Sequence, residues 1–139
     1  MGPHVKSIVV FADGTGNSSA KFFKTNVWRL YQSIDSSDPP PDGWSLRQIV
    51  SYDSGVGTSS FKPLQLLGGA FGVGLRRNVL DLYRFICRNY ERGDRIYAFG
   101  FSRGAFTIRV LIGLIAHIGV VSASDPNTLD ALTKDAYCA

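Results

Sequence analysis

The sequence predicts an α/β fold, a three-layer α/β/α sandwich with a parallel central sheet. Three apolar runs of strand length alternate with three helical patterns, and each run ends in a turn rich in glycine, aspartate and serine. Parallel strands need long crossover connections, which helices supply. Because ligands bind at the carboxyl ends of such strands, the three turns are expected to meet at one edge of the sheet.

Three strands are predicted, at residues 5–12, 46–52 and 94–100. Their sequences are VKSIVVFA, LRQIVSY and DRIYAFG, and they run directly into DGTGN, DSGVGT and FSRG. Short apolar runs closed by turn-forming residues are typical of strands. At least three parallel strands are therefore expected.

Three helices are predicted between and after the strands. TNVWRLYQSI has apolar residues at helical spacing from Val27, with Thr25 or Asn26 as the N-cap. GLRRNVLDLYRFICRNYERGD has one apolar face, and Gly93 is predicted to end it. RGAFTIRVLIGLIAHIG is apolar nearly all round, so it should be covered on several sides and end near Gly119. DSSDPPPDG and SASDPN are predicted to be solvent loops.

Composition indicates one globular domain. The chain has 139 residues, of which 45% are hydrophobic and 19% charged. The net charge is +4, but the basic residues are scattered and no RNA- or DNA-binding module accompanies them. We therefore predict no nucleic-acid partner. The sequence leaves the oligomeric state open.

The spacing of the cysteines and the length of the apolar runs indicate the expected cellular location of the protein. Cys87 and Cys138 have neither disulfide-framework nor metal-site spacing and are predicted to be reduced thiols. The chain shows no signal peptide, and its longest apolar stretch, residues 110–116, is too short to span a bilayer. A cytoplasmic location is the default expectation, with peripheral attraction to anionic lipid as the one membrane contact foreseen.

The turn after the third strand carries a candidate nucleophile. GFSRG matches the G-x-S-x-G nucleophile elbow, with Gly100 and Gly104 giving Ser102 room in a sharp strand-to-helix turn. The N–H of Arg103, at the start of the following helix, is a candidate oxyanion donor. The alternative is a Gly-Ser turn that joins strand to helix without chemistry.

The other two turns supply candidate supporting groups. In DGTGN, Gly14 or Thr15 could give a second oxyanion N–H, whereas Asp13 and Asn17 could stitch the turn by side-chain hydrogen bonds. In DSGVGT, Asp53 is expected to pin loops at the edge of the sheet rather than to act as an acid or base.

Three other classes of site are excluded by the same stretches. DGT resembles the phosphatase motif D-x-D-G-T, but Phe11 occupies the position of the nucleophilic aspartate. No glycine-rich stretch is a Walker A loop or a G-x-G-x-x-G dinucleotide fingerprint. No metal-ligand spacing is present, so neither a cofactor nor a metal is expected.

Five segments occur in order along the chain: FADGTGN, TNVWRL, YDSGVGT, GGAFGVGLRRNVLDLYRFICRNY and GDRIYAFGFSRGAFTIRVLIGLI. Together they resemble the catalytic-domain family of type VI secretion phospholipase effectors, an α/β-hydrolase type formerly called a domain of unknown function. The resemblance implies a Ser-Asp-His hydrolase of lipid or other acyl esters, with Ser102 as nucleophile and with Arg103 and the DGT turn lining the oxyanion hole. It implies that the three strands are central to a larger sheet, in spatial order second-first-third. Effectors of this kind can be exported without a signal peptide.

Residues 1–139 match only the N-terminal portion of such a catalytic domain, because no histidine is placed to serve Ser102. His117 lies about 22 Å further along the same predicted helix, and His4 precedes the first strand. An acid among Asp125, Asp130 and Asp135 would have no histidine to orient. We expect a truncated hydrolase that lacks the histidine and aspartate of its triad. The alternative is a short, non-catalytic pseudo-hydrolase or interaction module.

Overall fold

A computed structural model describes residues 5–14, 24–36, 47–55, 70–121 and 126–138. The elements in chain order are β1 (Ser7–Ala12), α1 (Asn26–Ser33), β2 (Gln48–Asp53), α2 (Ala70–Asn89), β3 (Arg95–Gly100), α3 (Arg103–Ile118) and α4 (Pro126–Cys138). The strands form a parallel sheet in the order β2-β1-β3, flanked by helices. The predicted α/β class and the second-first-third strand order are confirmed.

The central strand is β1, and all six of its residues are buried. A continuous apolar run is typical of a parallel strand that is covered on both faces. Ala12, at the end of β1, lies opposite Asp53 of β2 and Gly100 of β3. The three strands therefore end level with one another, and the turns that follow them leave the same edge of the sheet.

Alternate residues of β1 face two separate cores, as the two-residue repeat of a strand requires. Ile8, Val10 and Ala12 pack against α2 and α3, where Tyr83 and Leu111 are fully buried. On the opposite face the smaller core consists of Val9, Phe11 and Val27, with Tyr31 and Tyr52 packed against it. The sandwich thus has a larger α2–α3–α4 side and a smaller α1 side.

Two predicted helix ends are confirmed. Thr25 is the N-cap of α1, and its hydroxyl accepts a hydrogen bond from the Trp28 N–H at 3.1 Å. Helix α3 ends at Ile118, where Gly119 has a φ of 80° and its N–H donates to the Ile115 carbonyl at 2.8 Å.

Two other predicted boundaries are wrong. Helix α2 ends at Asn89 rather than at Gly93, because the carboxylate of Asp94 accepts the Glu91 N–H at 2.8 Å and organises a tight turn before β3. Gly93 lies inside that turn with a φ of 106°. The predicted loop SASDPN is shorter than expected, since Pro126 already begins α4. Proline suits the first helical position, where its missing N–H is not needed.

A buried ion pair holds β1 to the start of β3 at the amino edge of the sheet. Lys6 Nζ lies 2.7 Å from Asp94 Oδ2, and the side chains are 10% and 2% exposed. The Lys6 N–H also donates to Asp94 Oδ1 at 3.0 Å. Burial acts to raise the pKa of Asp94, but the hydrogen bonds from Lys6 and Glu91 and the charge of Lys6 outweigh it, so the pKa is lowered.

Replacement of Asp94 by alanine is therefore expected to lower the free energy of unfolding by about 2–3 kcal/mol, because the buried Lys6 loses its nearer partner and keeps only the exposed carboxylate of Glu91 at 3.3 Å. The pKa of Asp94 is depressed, so its stabilisation is present above the ordinary value of about 3.9 and is lost as the pH falls through the folded-state pKa. Urea denaturation of wild type and Asp94→Ala should give curves that separate at pH 7 and converge in acid. Asp81→Ala, which removes an exposed partner of Arg77 and Arg84, should cost less than about 1 kcal/mol. Equal losses in the two variants would contradict this assignment.

Candidate active site

The turns after the three strands lie side by side at the carboxyl edge of the sheet. The Asp13 N–H donates to the Asp53 carbonyl at 2.8 Å, and the Phe101 N–H donates to the Ala12 carbonyl at 3.1 Å. These bonds continue the strand pairing one residue past the ends of β1 and β3. Asp13, the first residue after β1, is therefore held at the end of β2, and Phe101, the first residue after β3, is held at the end of β1.

Ser102 occupies the connection between β3 and α3, and it is exposed. Its φ is 55° and its ψ is −122°, and no other non-glycine residue in the described ranges has a positive φ. Such a backbone costs of order 1–3 kcal/mol and persists only where the surrounding structure imposes it. The hydroxyl is thus presented to solvent at the edge of the sheet by a strained turn.

The glycines on either side of Ser102 are required by contact between backbones. A Cβ at Gly104 would overlap the carbonyl oxygen of Ala12 and would lie 2.7 Å from that of Asp13. A Cβ at Gly100 would lie 2.7 Å from both the Cα of Ala105 and the carbonyl oxygen of Gly104. The start of α3 therefore packs directly on the end of β1, and only glycine allows this approach.

Helix α3 begins immediately after the serine. The Ser102 carbonyl accepts the Ala105 N–H at 3.0 Å, and the Phe101 carbonyl accepts the Gly104 N–H at 2.9 Å. Arg103 is the first residue of the helix. Its N–H is thus at a helix N-terminus, where the backbone favours negative charge.

The side chain of Asp13 is the buried centre of this edge. The residue is only 1% exposed. Its Oδ1 accepts the Gly14 N–H at 2.7 Å, and its Oδ2 accepts the hydroxyls of Thr25 at 2.6 Å and Tyr52 at 2.7 Å. Burial, the hydrogen bond to Asp13 and the charges of Asp13 and Asp53 all raise the pKa of Tyr52, so the phenol stays protonated and donates.

Asp53 occupies the corresponding position at the end of β2. Its Oδ1 accepts the Gly55 N–H at 3.0 Å, while its buried Oδ2 has no hydrogen-bond partner within the described part of the chain. Burial raises the pKa of Asp53 and the charge of Asp81 adds to this, against the opposing effect of the Gly55 N–H. The side chain holds its own turn, and its main-chain carbonyl holds Asp13.

Comparison with known proteins shows the family to which the chain belongs. Residues 6–137 match the family described as the type VI secretion system (T6SS) phospholipase effector Tle1-like catalytic domain. The chain belongs to this family. A relative, the uncharacterized protein YEL023C of Saccharomyces cerevisiae, is 34% identical over 130 residues that cover 84% of this chain and 18% of the relative. The chain thus spans about a fifth of that relative's length. No solved structure matches it.

The described part of this Tle1-like domain places no histidine beside Ser102. His117 is in the last turn of α3, at the far end of the helix from the serine, and it is exposed. Asp130 pairs with Arg84 at 2.7 Å on the α4 side, and Asp135 is exposed on α4. His4 and Asp125 lie outside the described residues, as do Thr15 and Asn17.

The described residues contain no group of three or more histidine, cysteine, aspartate or glutamate side chains able to hold a metal ion. None of the described helices combines the length and the apolar character needed to cross a bilayer.

Sequence reasoning missed Tyr52 as a partner of Asp13, and it named Thr25 only as a helix cap. Tyr52 lies opposite Phe11 in the register of β1 and β2, one residue before Asp53. Once two parallel strands are aligned at their ends, the residue next to the turn on one strand can reach the first turn residue of its neighbour. The end-to-end alignment is therefore the signal that would have found this contact.

Proposed function

We propose that this domain is the part of a serine hydrolase that carries the nucleophile, and that the enzyme cleaves acyl esters, phospholipids in particular. The observation that supports this most strongly is the geometry of Ser102. A lone exposed serine in a strained positive-φ turn, between glycines that cannot carry a side chain, is what a nucleophile elbow needs. Membership of a phospholipase effector family supplies the substrate class.

In the proposed reaction the Ser102 Oγ attacks the ester carbonyl carbon and passes its proton to a general base. The carbonyl oxygen becomes an oxyanion, and the Arg103 N–H at the start of α3 is proposed to donate to it. The intermediate collapses, the alcohol leaves with the proton from the base, and an acyl-enzyme remains. Water then attacks the carbonyl carbon of the acyl-enzyme and gives a proton to the base. The acid is released as the Ser102 Oγ takes that proton back.

A second oxyanion donor is proposed from the turn after β1, at Gly14 or Thr15. That turn is next to Ser102 because Gly104 packs on the Ala12 and Asp13 carbonyls. In the structure the Gly14 N–H donates to Asp13 Oδ1, which favours Thr15 over Gly14 as the second donor.

The general base is proposed to come from chain outside residues 1–139. In α/β-hydrolases the acid and the histidine of the triad follow the nucleophile in sequence. His117 is the one histidine that follows Ser102 here, and it lies at the wrong end of α3.

The surroundings of Ser102 fit an acyl ester with an apolar chain. Phe101 and Phe106, on either side of the serine, are 49% and 48% exposed. Arg103 directly follows the serine. An apolar surface beside a cationic residue suits a lipid that carries a phosphate, and it supports peripheral contact with a membrane.

A non-catalytic interaction module is the second candidate, and the lack of a histidine near Ser102 in the described residues favours it. The test is to assay the full-length protein on phosphatidylglycerol vesicles and on a short-chain p-nitrophenyl ester. The hydrolase proposal predicts release of fatty acid and of nitrophenol. A folded full-length protein that releases neither supports the interaction module instead.

A further inference from the structure

The carboxylate of Asp13 joins the end of β1 to the start of α1 and the end of β2. Its three hydrogen-bond donors are the Gly14 N–H in its own turn, the hydroxyl of Thr25 at the N-cap of α1 and the hydroxyl of Tyr52 in β2. Thr25 and Tyr52 are distant from it in sequence. The position of Asp13 therefore depends on α1 and β2 together, and small changes in either would be passed to the turn that begins at Gly14.

The main chain of Asp13 connects this group to the nucleophile. Its N–H donates to the Asp53 carbonyl at 2.8 Å. Its carbonyl oxygen lies against Gly104, two residues after Ser102, so closely that a Cβ there would be 2.7 Å away. Asp13 is thus held to β2 through its N–H, while its carbonyl, which belongs to the Asp13–Gly14 peptide, lies against the first turn of α3.

Three hydrogen bonds from the described residues hold the Asp13 carboxylate, and they are donated by Gly14, Thr25 and Tyr52. A buried carboxylate is costly, and an apolar residue would fill the same volume at less cost. What the carboxylate provides, and an apolar residue could not, is the orientation of the Gly14 N–H and of the peptide that bears it.

We propose that Asp13 is a positioning residue of the hydrolase. Its carboxylate holds the Asp13–Gly14 peptide, and so the turn after β1, at the distance from Ser102 at which that turn can stabilise the oxyanion. The Gly14 N–H contributes to this positioning by donating a hydrogen bond to Oδ1. The inference rests on the proposed function, because positioning has a catalytic meaning only if Ser102 is a nucleophile.

The test compares two tyrosines whose hydroxyls each donate a hydrogen bond, at opposite ends of the molecule. Tyr52→Phe removes one donor to Asp13 and keeps the ring, which packs on Trp28 and Tyr31. Tyr83→Phe removes a hydroxyl that donates to the Gly119 carbonyl at 3.0 Å, beyond the far end of α3. Tyr83→Phe also removes the acceptor of the Val121 N–H at 3.3 Å, so the control loses at least as many hydrogen bonds as Tyr52→Phe does. Only Tyr52 contacts Asp13.

In the full-length protein we expect Tyr52→Phe to lower kcat about tenfold with KM nearly unchanged, since a misplaced donor weakens the transition state and not substrate binding. Asp13→Asn should lower kcat by about 10²-fold, because the amide presents an NH₂ group to at least one of three donors. Tyr83→Phe should leave kcat within twofold of wild type. Equal kcat values for the two phenylalanine variants would overturn the proposal.

A second measurement does not depend on activity. In ¹⁵N-glycine-labelled protein, the Gly14 amide proton should resonate downfield, because it makes a short bond to a carboxylate. It should move upfield in Asp13→Asn and shift in Tyr52→Phe, but not in Tyr83→Phe. If the Gly14 resonance is the same in wild type, Asp13→Asn and Tyr52→Phe, the proposal that Asp13 positions this turn is overturned. If these resonance changes are seen but the wild-type protein has no esterase activity, the proposed function is contradicted. Asp13 would then position the turn after β1 without a role in catalysis.

Discussion

Ser102→Ala is expected to lower ester hydrolysis by the full-length protein by at least about 10³-fold, since the variant has no oxygen to attack the carbonyl. The loss should be in kcat, measured as the initial rate of release of nitrophenol or fatty acid. The variant should fold normally, because alanine removes only an exposed hydroxyl that caps no helix N–H.

The matched control is Ser33→Ala, which also removes a surface hydroxyl, one that donates to the Leu30 carbonyl at 2.8 Å in α1. It should keep the wild-type rate. Residual hydrolysis of more than a tenth of wild type in Ser102→Ala would mean that another group attacks the ester.

Gly104→Ala is expected to have the largest effect on stability, a loss of at least about 3 kcal/mol in the free energy of unfolding. The added methyl group would overlap the Ala12 carbonyl, which is part of the central strand and cannot move without disturbing the sheet. The measurement is urea denaturation followed by circular dichroism.

Gly113→Ala is the control in the same helix. A Cβ there meets nothing within 4 Å, so alanine should stabilise the protein by about 0.5–1 kcal/mol through its higher helix propensity. If the two variants were equally stable, α3 would not pack on the end of β1 in the way described.

The sequence was most informative where local pattern decides the structure. The β-branched run of β1, the apolar spacing of α1 and the glycine after α3 each act within one element, so the three strands and the first three helices correspond to those predicted, whereas α4 was not predicted. The alternation of strands and helices was enough for the fold class, because few topologies satisfy the need for parallel crossovers.

Contacts between distant segments were not predictable in the same way. Lys6 and Asp94 are 88 residues apart, and Tyr52 and Asp13 are 39 apart. The first pair meets because β1 and β3 begin level with one another, and the second because β1 and β2 end level. Both alignments follow from the packing of the whole sandwich. Two helix boundaries were also not predicted. Helix α2 ends before the turn that Asp94 organises, and helix α4 already begins at Pro126.

Both the fold and the site lead to one central claim, that Ser102 is a nucleophile. Treatment of the full-length protein with a fluorophosphonate, followed by peptide mass mapping, tests it most directly, because the reagent forms a stable bond only with an activated serine. The account predicts a single adduct on Ser102. An adduct on another residue, or none on a folded protein, would contradict it.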